Sequence, residues 1–249
     1  MRPENNFARW ADFKRHFAED LSSAGRLIET FAFRGQADSR WNICSAFDRA
    51  CSSEIQDRTA YYRKMLGFFS YQVRQYGEDF DGMKAADKAA IAQHYGMPTR
   101  LIDWTKSPYV AAFMAFSAAI IENRMSDGAR VAIWALNLIE YENAVAASPE
   151  APCFSKVETR RLENDRVWRQ AGLFIEATSA EVDFTSYVEK LEGAAAAVIL
   201  RKFTIPAREA QAALNDLILM GLTPASLYPD RDGAAKYVQL RMALDRHSE

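Results

Sequence analysis

The sequence predicts one α+β domain, and three observations carry that prediction. Strand-like and helix-like segments follow one another along all 249 residues with no internal repeat. No low-complexity stretch or linker divides them. Residues 93–116 (QHYGMPTRLIDWTKSPYVAAFMAF) read as a short strand, a tight polar turn and a helix that is apolar almost all round. A helix of that kind is buried on most sides, so the chain is organised around it.

In chain order, residues 5–30 read as helix, with Phe7, Trp10, Phe13, Phe17 and Leu21 at helical spacing. Residues 1–26 are therefore assigned to an N-terminal helical segment and 27–249 to one globular unit. Residues 31–36 (FAFRGQ) alternate like a strand and break at Gly35. Residues 54–77 are helical and rich in aromatics. A further helix spans 85–95 and is stopped by Gly96 in the C-cap position. Pro98 pushes the residue before it out of the α region, so 99–104 is extended. Thr105 or Ser107 caps the next helix, and Pro108 suits its first turn.

After the turn signal at 126–128, residues 130–136 alternate as a strand. Residues 137–157 read as irregular around one helix at 138–147, a plausible rim to a site. Residues 173–177 read as a strand opened by Gly172, 183–192 as a helix and 195–205 as a buried strand. A helix at 207–220 closes at Gly221, and a last one runs from 234 to about 245. Between them, Asp230 and Asp232 flank Arg231 and fit a turn or helix cap better than a calcium loop, which needs more ligands.

Composition narrows the function classes. Hydrophobic residues make up 49% and charged residues 26%, with a formal net charge of −2, so bulk electrostatics do not demand a nucleic-acid partner. There is no apolar run of membrane-spanning length and no signal-peptide core at the N-terminus. Three scattered cysteines fit a reducing compartment, and the expected localisation is cytoplasmic, with no membrane partner. Three histidines and no paired cysteines make a zinc site unexpected.

Several side chains point to a site. Arg34 is a charge set in an apolar strand. It is either an exposed or ion-paired residue, or a guanidinium aimed at phosphate or carboxylate, which its planar fork fits. Gly35 beside it would let a ligand or backbone approach closely. His94 and Tyr95 sit at a helix end among polar neighbours; such a histidine is either structural or lines a site. Thr99, Arg100, Asp103, Trp104, Thr105 and Ser107 cluster at the turn before the buried helix, whose start exposes N–H groups that suit an anion. Gln170 and Glu176 flank a strand start, and each alone reads as a surface residue. The bland account of the whole set is a buried polar network joining helix to sheet.

Together these motifs resemble the FRG domain family. The residues that carry the resemblance are Phe33-Arg34-Gly35-Gln36 with Trp41, the block from Gln93 to Ala111, Arg166 with Gln170-Ala171-Gly172-Leu173-Phe174, Ile205-Pro206, the 217–221 segment and the 228–233 segment. The resemblance covers about residues 27–240. A more distant resemblance is to ADP-ribosyltransferases, including DarT-like toxins, with Phe33-Arg34-Gly35, the 103–107 turn and helix, and residues 169–174 in the same chain order. It implies a central, mainly antiparallel split sheet flanked by helices. It also implies NAD as substrate and no metal. Arg34, Asp103, Gln170 and Glu176 would then be catalytic, and Arg34, Gly35, Gln36, His94, Tyr95, Thr99, Arg100, Trp104, Thr105 and Ser107 would bind the dinucleotide. The catalytic Glu of those enzymes falls here at Gly172 or Leu173, so Glu176 or Asp103 would stand in as the acid. The acceptor implied is nucleic acid, a nucleotide or a protein, in a toxin or anti-phage setting with an antitoxin or immunity protein. Two other functions compete: a nucleotide-sensing module using the same cleft without turnover, and a metal-dependent nuclease built on Asp103, Asp230 and Asp232.

Overall fold

The computed structural model describes residues 4–21, 27–150, 152–157, 169–178 and 183–247. Its strands are β1 (Glu4–Asn6), β2 (Phe31–Gln36), β3 (Leu101–Thr105), β4 (Arg130–Asn137), β5 (Phe154–Val157), β6 (Gly172–Ala177) and β7 (Leu200–Pro206). Its α-helices are α1 (Trp10–Arg15), α2 (Leu27–Thr30), α3 (Ala46–Ala50), α4 (Arg58–Val73), α5 (Ala85–His94), α6 (Pro108–Ile121), α7 (Leu138–Ala147), α8 (Phe184–Ala195), α9 (Ala210–Leu219), α10 (Pro224–Leu227) and α11 (Arg231–Arg246).

These strands form one seven-stranded mixed sheet in the order β1-β7-β4-β2-β3-β6-β5. Among them, β1 and β7 run parallel and the other pairings are antiparallel. Helices cover both faces, so β4 is buried from Val131 to Leu136 on both of its sides. Val131, Ile133 and Ala135 pack with Phe113, Phe116, Leu214 and Leu240 on one face. Ala132, Trp134 and Leu136 pack with Tyr141, Phe184 and Val188 on the other. The period-2 alternation of a strand sends its odd and even residues to these two cores.

The sheet has a seam in its middle. Strand β2 pairs with β4 over six residues, and β3 pairs with β6 over five. Between β2 and β3 the register holds at one pair, Phe33 with Thr105. Beyond it the two halves of the sheet diverge.

The central helix begins as its sequence predicts. Ser107 is the N-cap, its Oγ accepting from Val110 N at 3.3 Å, and Pro108 opens the first turn. Helix α6 lies against β2 so closely that a Cβ on Gly35 would fall 1.9 Å from Ala111 O.

Three segments differ from the sequence reading. Before helix α1, Glu4–Asn6 pairs along β7 as an edge strand. Trp10, Phe13 and Phe17 are buried as expected, in the same core as α6. Phe154–Val157, read as irregular, is the outer strand beside β6, where a four-residue edge carries too short an alternation to register as a pattern. The buried strand read at 195–205 starts later, because α8 continues to Ala195 and Ala196 ends it in the left-handed region at φ 51°. No helix among the described residues is long and apolar enough to cross a membrane.

Candidate functional site

Where β2 and β3 separate, a cavity of about 200 Å³ opens. Arg34, Asp103, Thr105 and Gln170 line it from the sheet side. Val110, Ala111 and Met114 of α6 and the Tyr228 ring form the rest of the wall. Residues far apart in the chain thus converge at the seam, and Arg34, Gly35, Asp103, Trp104, Thr105 and Gln170 were all expected in a site.

Arg34 bridges the opening. Its Nη1 donates to the backbone O of Asp103 at 2.7 Å, replacing a ladder bond that the diverging strands no longer make. Its Nε has no hydrogen-bond partner among the described residues. Desolvation lowers the guanidinium's pKa, and the charge of Asp103 opposes that shift.

Asp103 is the exposed residue of β3 and lines the crevice. Desolvation raises its carboxyl pKa, while Arg34 and the amide of Gln93 pull it down. Gln93, at the end of α5, donates from Nε2 to Asp103 Oδ1 at 2.6 Å. The Thr99 hydroxyl in turn donates to Gln93 Oε1.

Thr105 ties the turn to the next half of the sheet. Its hydroxyl donates to Gln170 O at 2.5 Å and accepts from Ser107 N at 3.1 Å. Gln170 Nε2 donates to Leu227 O at 3.2 Å. Tyr228 Oη donates to Met114 Sδ at 3.1 Å. The segment around Asp230 is a helix cap: its carboxylate accepts from Asp232 N at 3.0 Å and Gly233 N at 3.3 Å. A Cβ on Gly233 would meet Tyr228 O at 1.9 Å, so the glycine lets the start of α11 press on the Tyr228 turn.

Other expected ligand contacts are taken up by the fold. The close approach allowed by Gly35 is used by α6, not by a ligand. Gln36 is buried, accepting from Trp134 Nε1 at 2.6 Å and donating to Asn42 O at 3.2 Å. Trp104 is 3% exposed and packs edge-on to Phe184, so its ring is closed to stacking on nicotinamide or adenine. Alternation along β3 puts Trp104 on the face opposite Asp103. Thr99 is fully buried.

Arg100 is 2% exposed. Its guanidinium lies 5.3 Å from the Phe47 ring and 5.4 Å from Tyr62, with Nη1 donating to Thr59 Oγ1 at 3.0 Å. It cannot reach an external phosphate from there. Among the described residues it makes no ion pair with Asp103, whose carboxylate is held by Gln93. Glu176 pairs with Leu101 in the register and does not line the cavity. Burial raises its carboxyl pKa, and Arg100 opposes the shift. Ser107 serves as a cap. His94 Nε2 stands 3.8 Å from Asp230 Oδ2, and with the 63%-exposed Tyr95 it lines a separate cavity of about 440 Å³ beside Glu78 and Phe80. Arg166 lies outside the described residues.

Sequence reasoning missed Gln93 and Met114 as site residues and read Tyr228 only as part of a motif. The signal for Gln93 was present: it opens the block that carries Asp103. Among the described residues, no group of three His, Cys, Asp or Glu side chains is placed to hold a metal ion.

This crevice, at the seam of a helix-flanked mixed sheet, defines an α+β protein with a polar cleft between two halves of its sheet. Residues 29–124 match the family model of the FRG domain. The matched span carries Arg34, Gln93, Asp103 and all of α6, while Gln170 and Tyr228 come from beyond it. No curated protein matches the chain, and no solved structure does.

Proposed function

We propose that the chain is an NAD-consuming ADP-ribosyltransferase whose reaction centre is the seam between β2 and β3. One observation carries this reading: Arg34 and Asp103 meet where the sheet opens, beside a cavity walled by the start of a buried helix. At about 200 Å³ that cavity is below the usual size of a whole-ligand pocket, so it takes the nicotinamide–ribose end and leaves the adenylate outside.

In this mechanism the bond between ribose C1′ and the nicotinamide nitrogen breaks, and its electron pair leaves with neutral nicotinamide. The ribose carbon gains oxocarbenium character, as in glycoside cleavage. Asp103 replaces the Glu that related transferases carry. Its carboxylate stabilises the developing positive charge and takes the proton from the acceptor as the acceptor's lone pair bonds to C1′. Desolvation favours that role, because a raised pKa makes a carboxylate a stronger base. The remaining Nη donors of Arg34, beyond the one given to Asp103 O, are assigned to ribose or phosphate oxygens. Glu176 has no part in the step. The acceptor is a nucleic acid, a nucleotide or a protein, and a toxin or anti-phage role with a protective partner protein belongs to the same proposal.

Purified protein incubated with adenylate-labelled NAD and candidate acceptors tests the reading. Nicotinamide release with label transfer, lost in Asp103→Asn and Arg34→Ala, is the expected result. A second reading, a nucleotide-sensing module without turnover, is favoured by the burial of Trp104 and Arg100, which removes the stacking and phosphate contacts a full dinucleotide site would use. NAD binding by calorimetry with no nicotinamide release would select it; no binding and no release would reject the transferase, and the cleft would then be tested against other nucleotides.

A further inference from the structure

We infer that Thr99 and Gln93 are positioning residues that hold the Asp103 carboxylate in one orientation at the seam, an inference that rests on the assignment of Asp103 as the reacting acid. The two form a directed chain. The fully buried Thr99 hydroxyl donates to Gln93 Oε1, which leaves the other end of that amide, Nε2, to donate to Asp103 Oδ1 at 2.6 Å. A free glutamine side chain can present either its oxygen or its nitrogen. Here the carboxylate decides, because it only accepts: the N–H₂ end must face it, and the Thr99 hydroxyl, able to donate or accept, gives its proton to the Oε1 left at the other end. A carboxylate cannot accept from a carbonyl, so a flipped amide would repel it. Thr99 Oγ1 is itself held by Leu101 N at 3.3 Å, at the start of the strand that carries Asp103. Helix end, strand start and acid are thereby locked together.

The lock engages Oδ1 of a carboxylate that lines the crevice. The groups facing Asp103 are Arg34 from β2, Arg49 from α3 and Gln93 from α5; across the ladder on β6 stands the apolar Phe174. Arg34 and Arg49 supply charge, but among the described side chains Gln93 alone supplies a hydrogen bond to the carboxylate. Since that bond favours the ionised form, its removal raises the pH at which Asp103 loses its proton.

The test is a carboxyl titration by NMR on full-length protein carrying ¹³C-labelled aspartate, with the Asp103 signal assigned by its loss in Asp103→Asn. Gln93→Met keeps the side-chain length and removes the donor; Thr99→Val keeps the shape and removes the hydroxyl. Both are expected to move the Asp103 midpoint to higher pH, whereas Thr99→Ser leaves it in place. The double variant moves it no further than Gln93→Met alone, because the threonine acts through the amide. If Thr99→Val leaves the midpoint where it is, the inference falls, and that variant decides even if Gln93→Met does not fold. The titration needs no turnover: absence of nicotinamide release in the unaltered protein would sink the transferase reading and still leave this measurement to be read. Where turnover exists, the acid limb of its pH profile moves with the NMR midpoint.

Discussion

A Cβ added to Gly35 would stand 1.9 Å from the carbonyl oxygen of Ala111, so the second residue after Phe33 must be a glycine for helix α6 to lie where it does. The nearest atoms are helix backbone, which has no rotamer to change. Gly35→Ala is expected to destabilise the fold by about 3 kcal/mol, the upper range of overpacking costs. Urea denaturation measures it. Stability unchanged from the parent would mean that α6 can slide away from β2, and the cavity wall with it.

Arg34→Ala should act mainly on binding. The side chain is at the crevice and its removal leaves Asp103 O open to water at the mouth. Loss of a charged donor to a phosphate or ribose oxygen weakens affinity by about 10- to 100-fold. Calorimetry with NAD gives the number. Full affinity in a properly folded variant would remove Arg34 from the site.

Arg100→Ala should do the opposite. This guanidinium fills the space between Phe47 and Tyr62, and its loss leaves a void and an unpaired Thr59. The expected cost is about 3 kcal/mol of stability, with the affinity of the folded fraction for NAD unchanged. A drop in affinity at constant stability would return Arg100 to the dinucleotide-binding residues.

The pH dependence of stability and of turnover should run in opposite directions. Desolvation raises the folded-state pKa of Asp103 above its unfolded value, so between the two values the folded chain binds more protons than the unfolded one. Stability therefore falls as pH rises through that window. A base must be ionised, so turnover rises over the same window. Asp103→Asn is expected to flatten the first effect and abolish the second. Glu176, also raised by burial, adds to the stability slope, and Glu176→Gln should reduce that slope without lowering kcat. A large loss of kcat in Glu176→Gln would return that residue to the chemistry.

Much of the fold was legible because its signals are local. The Ser107 cap, Pro108 in the first turn, the glycine stop after α5 and the cap at Asp230 each act within a few residues. The strand reading of 99–104 and the helix after it fall within a residue or two of β3 and α6. Part of the site was legible by the same route: Arg34 and Asp103 stand out as charges in apolar strands. The alternation along β3 also carries the separation of Trp104 from Asp103, since neighbours on a strand face opposite ways.

Most of the helix and strand segments, their caps and the polar residues gathered before α6 were readable from adjacent residues, on which backbone propensity and capping depend; the edge strands β1 and β5 were not, because their pairing partners lie elsewhere in the chain. Only the tertiary structure decided which of those polar groups face a crevice. Gln36 is claimed by Trp134, Arg100 by Phe47 and Tyr62, and Gly35 by Ala111, all partners remote in the chain. Arg34 and Asp103 stay at the surface of a cavity because β2 and β3 part after a single pair. A buried polar group takes whatever partner packing brings within reach, and that partner is set by the sheet order, not by the neighbouring residue.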